Sequence, residues 1–91
     1  MVPVSSTVSI TNQRGLHARA SAKFVDMAAG YDAVIQVQRG EETVEASSIM
    51  DLLMLAAGPG TEITIIAEGK DAEAALLALV QLVEDKFYES V

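Results

Sequence analysis

The sequence predicts an α+β domain of two layers, a sheet with one face covered by helices and the other left to water. Two observations carry this. Segments of strict apolar–polar alternation interleave with segments whose apolar residues recur at steps of three and four, in the order βαββαβα. The connections between them are short, with no repeat, low-complexity tract or linker, so residues 1–91 read as a single domain.

The first strand is VSSTVSI, with Val4, Val8 and Ile10 on one side and Ser5, Thr7 and Ser9 on the other. Gly15 ends that pattern. From His17 to Ala29 the spacing of Ala18, Ala22, Val25 and Ala29 is helical, and Gly30 is placed to cap the end. AVIQVQ and ETVEA alternate as strands two and three, with Arg39-Gly40 as the hairpin turn. SIMDLLML, Ser48 to Leu55, forms a short apolar helix, and AGPG supplies the turn after it. TEITIIAE is the fourth strand, setting Ile63, Ile65 and Ala67 against Glu62, Thr64 and Glu68. A last helix runs from Asp71 to Phe87, its stripe made by Ala72, Ala75, Leu76, Leu79, Val80, Val83 and Phe87.

Composition narrows the class. Ninety-one residues that are 51% hydrophobic suffice for one core and are too few for two. The chain has no cysteine, which removes disulfides and thiolate metal sites and fits a reducing cytoplasm. The start MVPVSST has neither the basic nor the apolar region of an export signal, and no apolar run approaches the roughly 18 residues of a membrane span. A soluble cytoplasmic protein without membrane insertion is expected.

The net charge is -7, but it is unevenly spread. Residues 1–25 hold Arg14, Arg19 and Lys23 and no acid, whereas all 13 acidic residues lie at or beyond Asp26. Three local cations amid that acidity do not suit a nucleic-acid backbone, which wants many distributed Lys and Arg. They suit a single phosphate or carboxylate. At their centre stands His17, the one histidine, delivered by Gly15-Leu16 to the first turn of a helix where unpaired N–H groups and the macrodipole favour an anion. Arg19 and Lys23 break two local preferences, being cations at a helix start and like charges four residues apart, and such rule-breaking marks sites.

That setting favours the neutral imidazole, whose free ring nitrogen can attack phosphorus. The phosphorylated product would be an anion beside helix amides and a guanidinium, with Arg19 as its clamp. The competing reading is an ordinary hydrogen-bonded histidine near a helix start. One histidine with no cysteine and no local carboxylate does not build a metal site, and no second histidine supports hydrolase chemistry. No metal and no cofactor are expected.

GLHARASAKF resembles the active-site signature of the HPr-type phosphocarrier proteins of the bacterial phosphoenolpyruvate-dependent phosphotransferase system, and the similarity continues through SSIMDLLMLAAGPGTEITIIAEG to the last helix. The resemblance implies an open-faced β-sandwich, four antiparallel strands with three helices packed on one face. It also implies that His17 accepts a phosphoryl group on Nδ1 from phosphorylated enzyme I and passes it to an enzyme IIA, with Arg19 assisting. The protein would then be a phosphoryl carrier, not an enzyme in its own right, and a monomer exposing one face to successive partners. The family usually has a proline after the arginine; Ala20 stands there, and a changed phosphate geometry is expected.

Ser48 has a structural reading, the cap of the second helix in a box with Asp51, a role Ser47 could share. In some family members the serine at the position of Ser48 is phosphorylated by a dedicated kinase, which weakens enzyme I binding by placing a dianion in an apolar docking surface. The resemblance places that surface on Ile49, Met50, Leu53 and Met54, with Ala20, Lys23 and Phe24 on the helix that follows His17. Methionines suit a face that meets several partners, although most such stripes are core.

The family divides into a sugar-uptake branch and a nitrogen-related regulatory branch. VSITNQRGLHARASAKFVDMAAGYDA, ASSIMDLLML and the tail EDKFYES resemble the nitrogen-related members, and Ser47 stands where sugar-branch carriers often have lysine. A sugar-branch carrier and a phosphorylation-gated binding protein acting on regulatory target enzymes are the alternatives.

Overall fold

The computed structural model describes residues 2–89. Met1 and the chain end, Ser90 and Val91, lie outside the described residues, and with them the last residue of the tail EDKFYES. Four strands, β1 (Val4–Ser9), β2 (Val34–Arg39), β3 (Glu42–Glu45) and β4 (Glu62–Glu68), form one antiparallel sheet in the order β1-β4-β2-β3. Three helices, α1 (Ala18–Ala29), α2 (Ile49–Met54) and α3 (Ala72–Glu84), cover one face, and a 3-10 turn (Lys86–Tyr88) follows. This is the expected open-faced sandwich.

Alternation decides which face is buried. Ile63, Ile65 and Ala67 of the central β4 are buried, as are Ile35 and Val37 of β2 and Val8 of β1. The opposite face carries polar side chains such as Thr7 and Thr64, whose hydroxyls hydrogen-bond across the β1–β4 pair at 2.9 Å. α3 lies over β1 and β4, while α1 packs between α3 and α2.

Three local expectations are corrected. The β2–β3 turn consists of Gly40 and Glu41, one residue later than read, because Arg39 pairs with Glu42 in the ladder and Gly40 takes the positive φ of 60°. In α1 the buried residues are Ala20, Ser21, Phe24 and Ala28, not the stripe of Ala18, Ala22, Val25 and Ala29. Phe24 sets the inward direction, since its full burial contributes about 1.5–3 kcal/mol and outweighs any choice among alanines. Gly30 does end this helix, but with right-handed backbone (φ -78°) rather than a left-handed cap.

The third correction matters most. α3 stops at Glu84, and Lys86, Phe87 and Tyr88 adopt left-handed φ values of 57°, 56° and 61°. For residues other than glycine this costs about 1–2 kcal/mol each. The reversal turns the chain back over the start of α1. It is offset by complete burial of Phe87, by Tyr88 N–H on the Asp85 carbonyl (3.0 Å) and by Glu89 N–H on the Lys86 carbonyl (3.0 Å). Phe87 belongs to the core through this turn and not through the α3 stripe.

The loop before α1 is held just as tightly. Gly15 has φ 67°, and a Cβ there would stand 2.7 Å from the Ala57 carbonyl oxygen and 2.9 Å from the Gly58 Cα, while Leu16 N–H donates to that same carbonyl at 2.9 Å. Gly15→Ala is expected to destabilise the fold by about 1–3 kcal/mol, read as a lower urea midpoint at unchanged slope. Phe87→Ala is expected to cost about 3–5 kcal/mol by the same measurement, a large share of the stability of a domain this size.

Candidate functional site

Ile10 leaves the sheet, and residues 11–16 carry the chain to the start of α1. Asn12 is completely buried; its Nδ2 donates to the Gly15 carbonyl at 2.7 Å, closing the loop that ends on His17. Gly15 N–H returns to the Asn12 carbonyl at 3.2 Å. The Oδ1 of Asn12 finds no hydrogen-bond partner among the described residues. A buried orphan acceptor costs about 1–3 kcal/mol, so an amide kept here indicates that its NH2 group has work that an apolar residue could not do.

His17 is the N-cap of α1. Its backbone is extended (φ -76°, ψ -178°), and its Nδ1 accepts from the Arg19 N–H at 3.2 Å, a cap made by an imidazole in place of the usual hydroxyl or carboxylate. An accepting Nδ1 carries a lone pair, so the ring proton of the neutral imidazole is on Nε2. Nε2 donates to Oε2 of Glu89, which arrives from the far end of the chain. The two side chains are 15% and 13% exposed, open enough to be reached and closed enough to hold their geometry.

Glu89 also accepts from Asn12 Nδ2, at 2.9 Å through Oε1. Partial burial would raise its carboxyl, but the hydrogen bonds from Asn12 and His17 and the positive charge of Arg14, joined by that of His17 whenever the ring is protonated, prevail. The net effect holds it below the ordinary value of 4.5. Sequence reading missed both Glu89 and the function of Asn12. Each lies about one loop or one whole chain away from His17 in sequence, and nothing local to Glu89 distinguishes it from its neighbours in an acidic tail. The buried asparagine in a turn before a glycine was the one available signal.

The three cations of the first 25 residues have separate surroundings. Arg19 is exposed on the first turn of α1, and among the described residues its guanidinium has no carboxylate partner. Arg14, exposed in the loop, acts on Glu89 through its charge. Lys23 is half-buried: its Nζ donates to the Phe87 carbonyl at 2.6 Å and lies 5.9 Å from the centre of the Tyr88 ring. Its ammonium therefore ties down the C-terminal turn, which accounts for a cation where helix electrostatics disfavours one.

The docking residues read from the sequence divide into two groups. Ala20 and Phe24 are fully buried and present no surface to a partner, because α1 turns them into the core. Ile49, Met50 and Met54 are exposed, and Leu53 is half-buried, so α2 shows water an apolar strip beside α1. Leu52 alone anchors this six-residue helix from within it. Ser48 is its N-cap, with Oγ accepting from Asp51 N–H at 3.3 Å, while Ser47 is exposed. The end of α2 is steadied by Arg39, whose Nη1 donates to the Leu55 carbonyl at 3.0 Å. Beyond it, Ala57 and Gly58 back the Gly15-Leu16 loop, so the strip and the imidazole belong to one connected surface.

Among the described residues no group of three or more His, Cys, Asp or Glu side chains is placed to hold a metal ion, and no helix is long and apolar enough to cross a membrane.

Comparison with known proteins places the chain in a family. The family described as the PTS HPr component phosphorylation site matches residues 4–85. The phosphocarrier protein NPr of Shewanella violacea is 43% identical over 90 residues, covering 99% of each chain. The phosphocarrier protein HPr of Pseudomonas aeruginosa is 46% identical over 83 residues, covering 90% of this chain and 92% of its own. Among solved structures, HPr from Thermoanaerobacter tengcongensis superposes with a TM-score of 0.92 at 40% identity, covering 97% of this chain and 99% of its own. With a histidine opening its first helix over this sheet, and with likeness running through nearly its whole length, the chain belongs to the HPr family of phosphocarrier proteins.

Proposed function

We propose that His17 is the phosphoryl-accepting residue of this carrier, taking the group on Nδ1 from a phosphorylated enzyme I and passing it to an enzyme IIA. The observation that carries the reading is the cap itself: Nδ1 holds its lone pair toward the start of α1, where N–H groups and the macrodipole favour the anion that transfer would bring. In the transfer the Nδ1 lone pair forms the bond to phosphorus while the bond to the donor atom breaks, its electron pair leaving with the donor. The ring keeps its proton on Nε2. The Arg19 N–H loses Nδ1 as acceptor and regains one in a phosphoryl oxygen, so the helix remains capped in both states. The Arg19 guanidinium, exposed and without a carboxylate partner among the described residues, is available to close on the remaining oxygens.

The protein itself releases no product and turns over no substrate in this scheme; it is a phosphorylated intermediate between other phosphotransferases. Docking falls to the strip of Ile49, Met50, Leu53 and Met54, exposed in a shape that flexible thioethers can adapt to more than one partner. A carrier with a single small docking face is expected to act as a monomer in the cytoplasm.

The nitrogen-related regulatory branch is the finer reading. It is supported by the likeness of the chain over 99% of its length to an NPr protein and by Ser47 where lysine is frequent in the sugar branch. Regulation at Ser48 is a further part of the proposal. A phosphate there would replace the hydroxyl that caps α2 and would place a dianion beside exposed Ile49 and Met50, disfavouring an apolar partner.

Incubation with phosphoenolpyruvate and purified enzyme I of each branch tests the main reading. An acid-labile phosphoramidate is expected on the wild-type chain and none on His17→Ala, with the nitrogen-related enzyme I the faster donor. A faster sugar-related donor would assign the other branch, and phosphorylation that changes partner affinity without onward transfer would identify a binding gate. Arg19→Ala is expected to slow transfer by about one to two orders of magnitude with little change in urea stability. Met54→Glu is expected to raise the apparent KM for enzyme I roughly tenfold while leaving the chemical step unchanged. Intact mass after ATP and a cognate serine kinase should rise by one phosphate, and Ser48→Ala should abolish that rise.

A further inference from the structure

The C-terminal turn brings into the site a residue that neither the family match nor the motif around His17 identifies. We infer that Glu89 is a positioning residue for the phosphoryl-accepting imidazole, carried to it by a strap, Asp85–Glu89, that Lys23 holds closed; this rests on the reading of His17 as the acceptor. The geometry is specific at every link. Glu89 Oε2 accepts a hydrogen bond from His17 Nε2–H, and Oε1 accepts one from the buried Asn12 Nδ2, so both carboxylate oxygens are engaged and the carboxylate plane is set. Asn12 in turn is tied to the Gly15 carbonyl. Carboxylate, amide and imidazole are thus joined in one hydrogen-bonded chain, although Glu89 lies far from the other two in sequence.

Two contacts made by unrelated parts of the chain demand the same protonation of the ring. The Arg19 N–H requires a lone pair at Nδ1, and Glu89 requires a proton at Nε2. A neutral imidazole has one N–H, and these demands fix both its place and the rotation of the ring. Without Glu89 the one hydrogen bond left to the ring among the described residues is the 3.2 Å contact from the Arg19 N–H. During transfer Nδ1 forms its bond to phosphorus and the donor's bond to phosphorus breaks with its electron pair. No proton leaves the ring, which becomes cationic, and the carboxylate at Nε2 is placed to balance that charge.

The strap is built for delivery. Lys86, Phe87 and Tyr88 reverse the chain through left-handed backbone, Phe87 is sunk in the core, and Lys23 Nζ holds the Phe87 carbonyl at 2.6 Å. An extension of α3 in regular geometry would not make this reversal. Lys23 therefore acts on the imidazole at second hand, by fixing the turn from which Glu89 projects.

The test uses the full chain and four variants, Glu89→Ala, Glu89→Gln, Lys23→Met and a chain ending at Tyr88. Nitrogen-15 NMR of the His17 ring in its neutral form should show the wild type with its proton on Nε2 and that proton slowed in exchange with water. In Glu89→Ala and in the shortened chain the slowed proton should vanish; in Glu89→Gln, whose amide oxygen still accepts, it should persist. Inorganic phosphoramidate, a small donor that needs no docking surface, should phosphorylate Glu89→Ala about tenfold more slowly than wild type, with Glu89→Gln between them and Lys23→Met slowed in the same direction. A protected Nε2 proton and a rate within about twofold of wild type in both Glu89→Ala and the shortened chain would overturn the inference. Failure of wild type to accept phosphate from any donor would instead overturn the acceptor reading, leaving the NMR result to judge the positioning by itself.

Discussion

Everything in this protein turns on one hydrogen bond, from the Arg19 N–H to Nδ1 of His17. Capping residues ordinarily hold an oxygen to the first turn of a helix, and the oxygen does nothing else. Here the acceptor is the atom whose lone pair would make the bond to phosphorus. A group that stabilises α1 in one state would hand that duty to a phosphoryl oxygen in the other, so the helix start would serve as both scaffold and anion site.

Supporting that bond requires the backbone on either side to be stiff. Gly15 permits an approach to Ala57 and Gly58 that no side chain could tolerate, and Leu16 is pinned to the same carbonyl. The loop therefore cannot move without disturbing the turn after α2. That coupling holds the imidazole and the apolar strip of α2 in a fixed relation, so that a partner seated on Met50 and Met54, as proposed, would meet the ring at a set distance and angle. Positioning of this kind is most of what a transfer between two proteins needs, since phosphoryl transfer asks little covalent chemistry of its surroundings.

The basic cluster is three arrangements and not one. Arg14 meets Glu89 through its field, Arg19 stands open at the helix start, and Lys23 locks the C-terminal turn. Of the cations, only Arg19 is both exposed on the helix and without a carboxylate among the described residues. All 13 acidic residues lie beyond residue 25, and among the described residues the one carboxylate that pairs with His17 is Glu89.

Local pattern in the sequence determined the element order, the faces of β4 and α3, the Ser48 cap and the position of His17 at a helix start. Each depends on neighbours two, three or four residues apart, where alternation, helical period and capping chemistry act directly on the chain. It also carried the family likeness, because GLHARASAKF is contiguous. Only the tertiary structure decided that Phe24 turns α1 so as to bury Ala20, that the chain reverses after Glu84, and that Glu89, Asn12 and His17 meet. The reason is the same in each case. A helix rich in alanine has no strong preferred face until a large side chain finds its cavity, and three left-handed residues lacking glycine have no local signature. A contact spanning 72 positions in the chain exists only after the core has closed around Phe87 and drawn the C-terminal turn across the site.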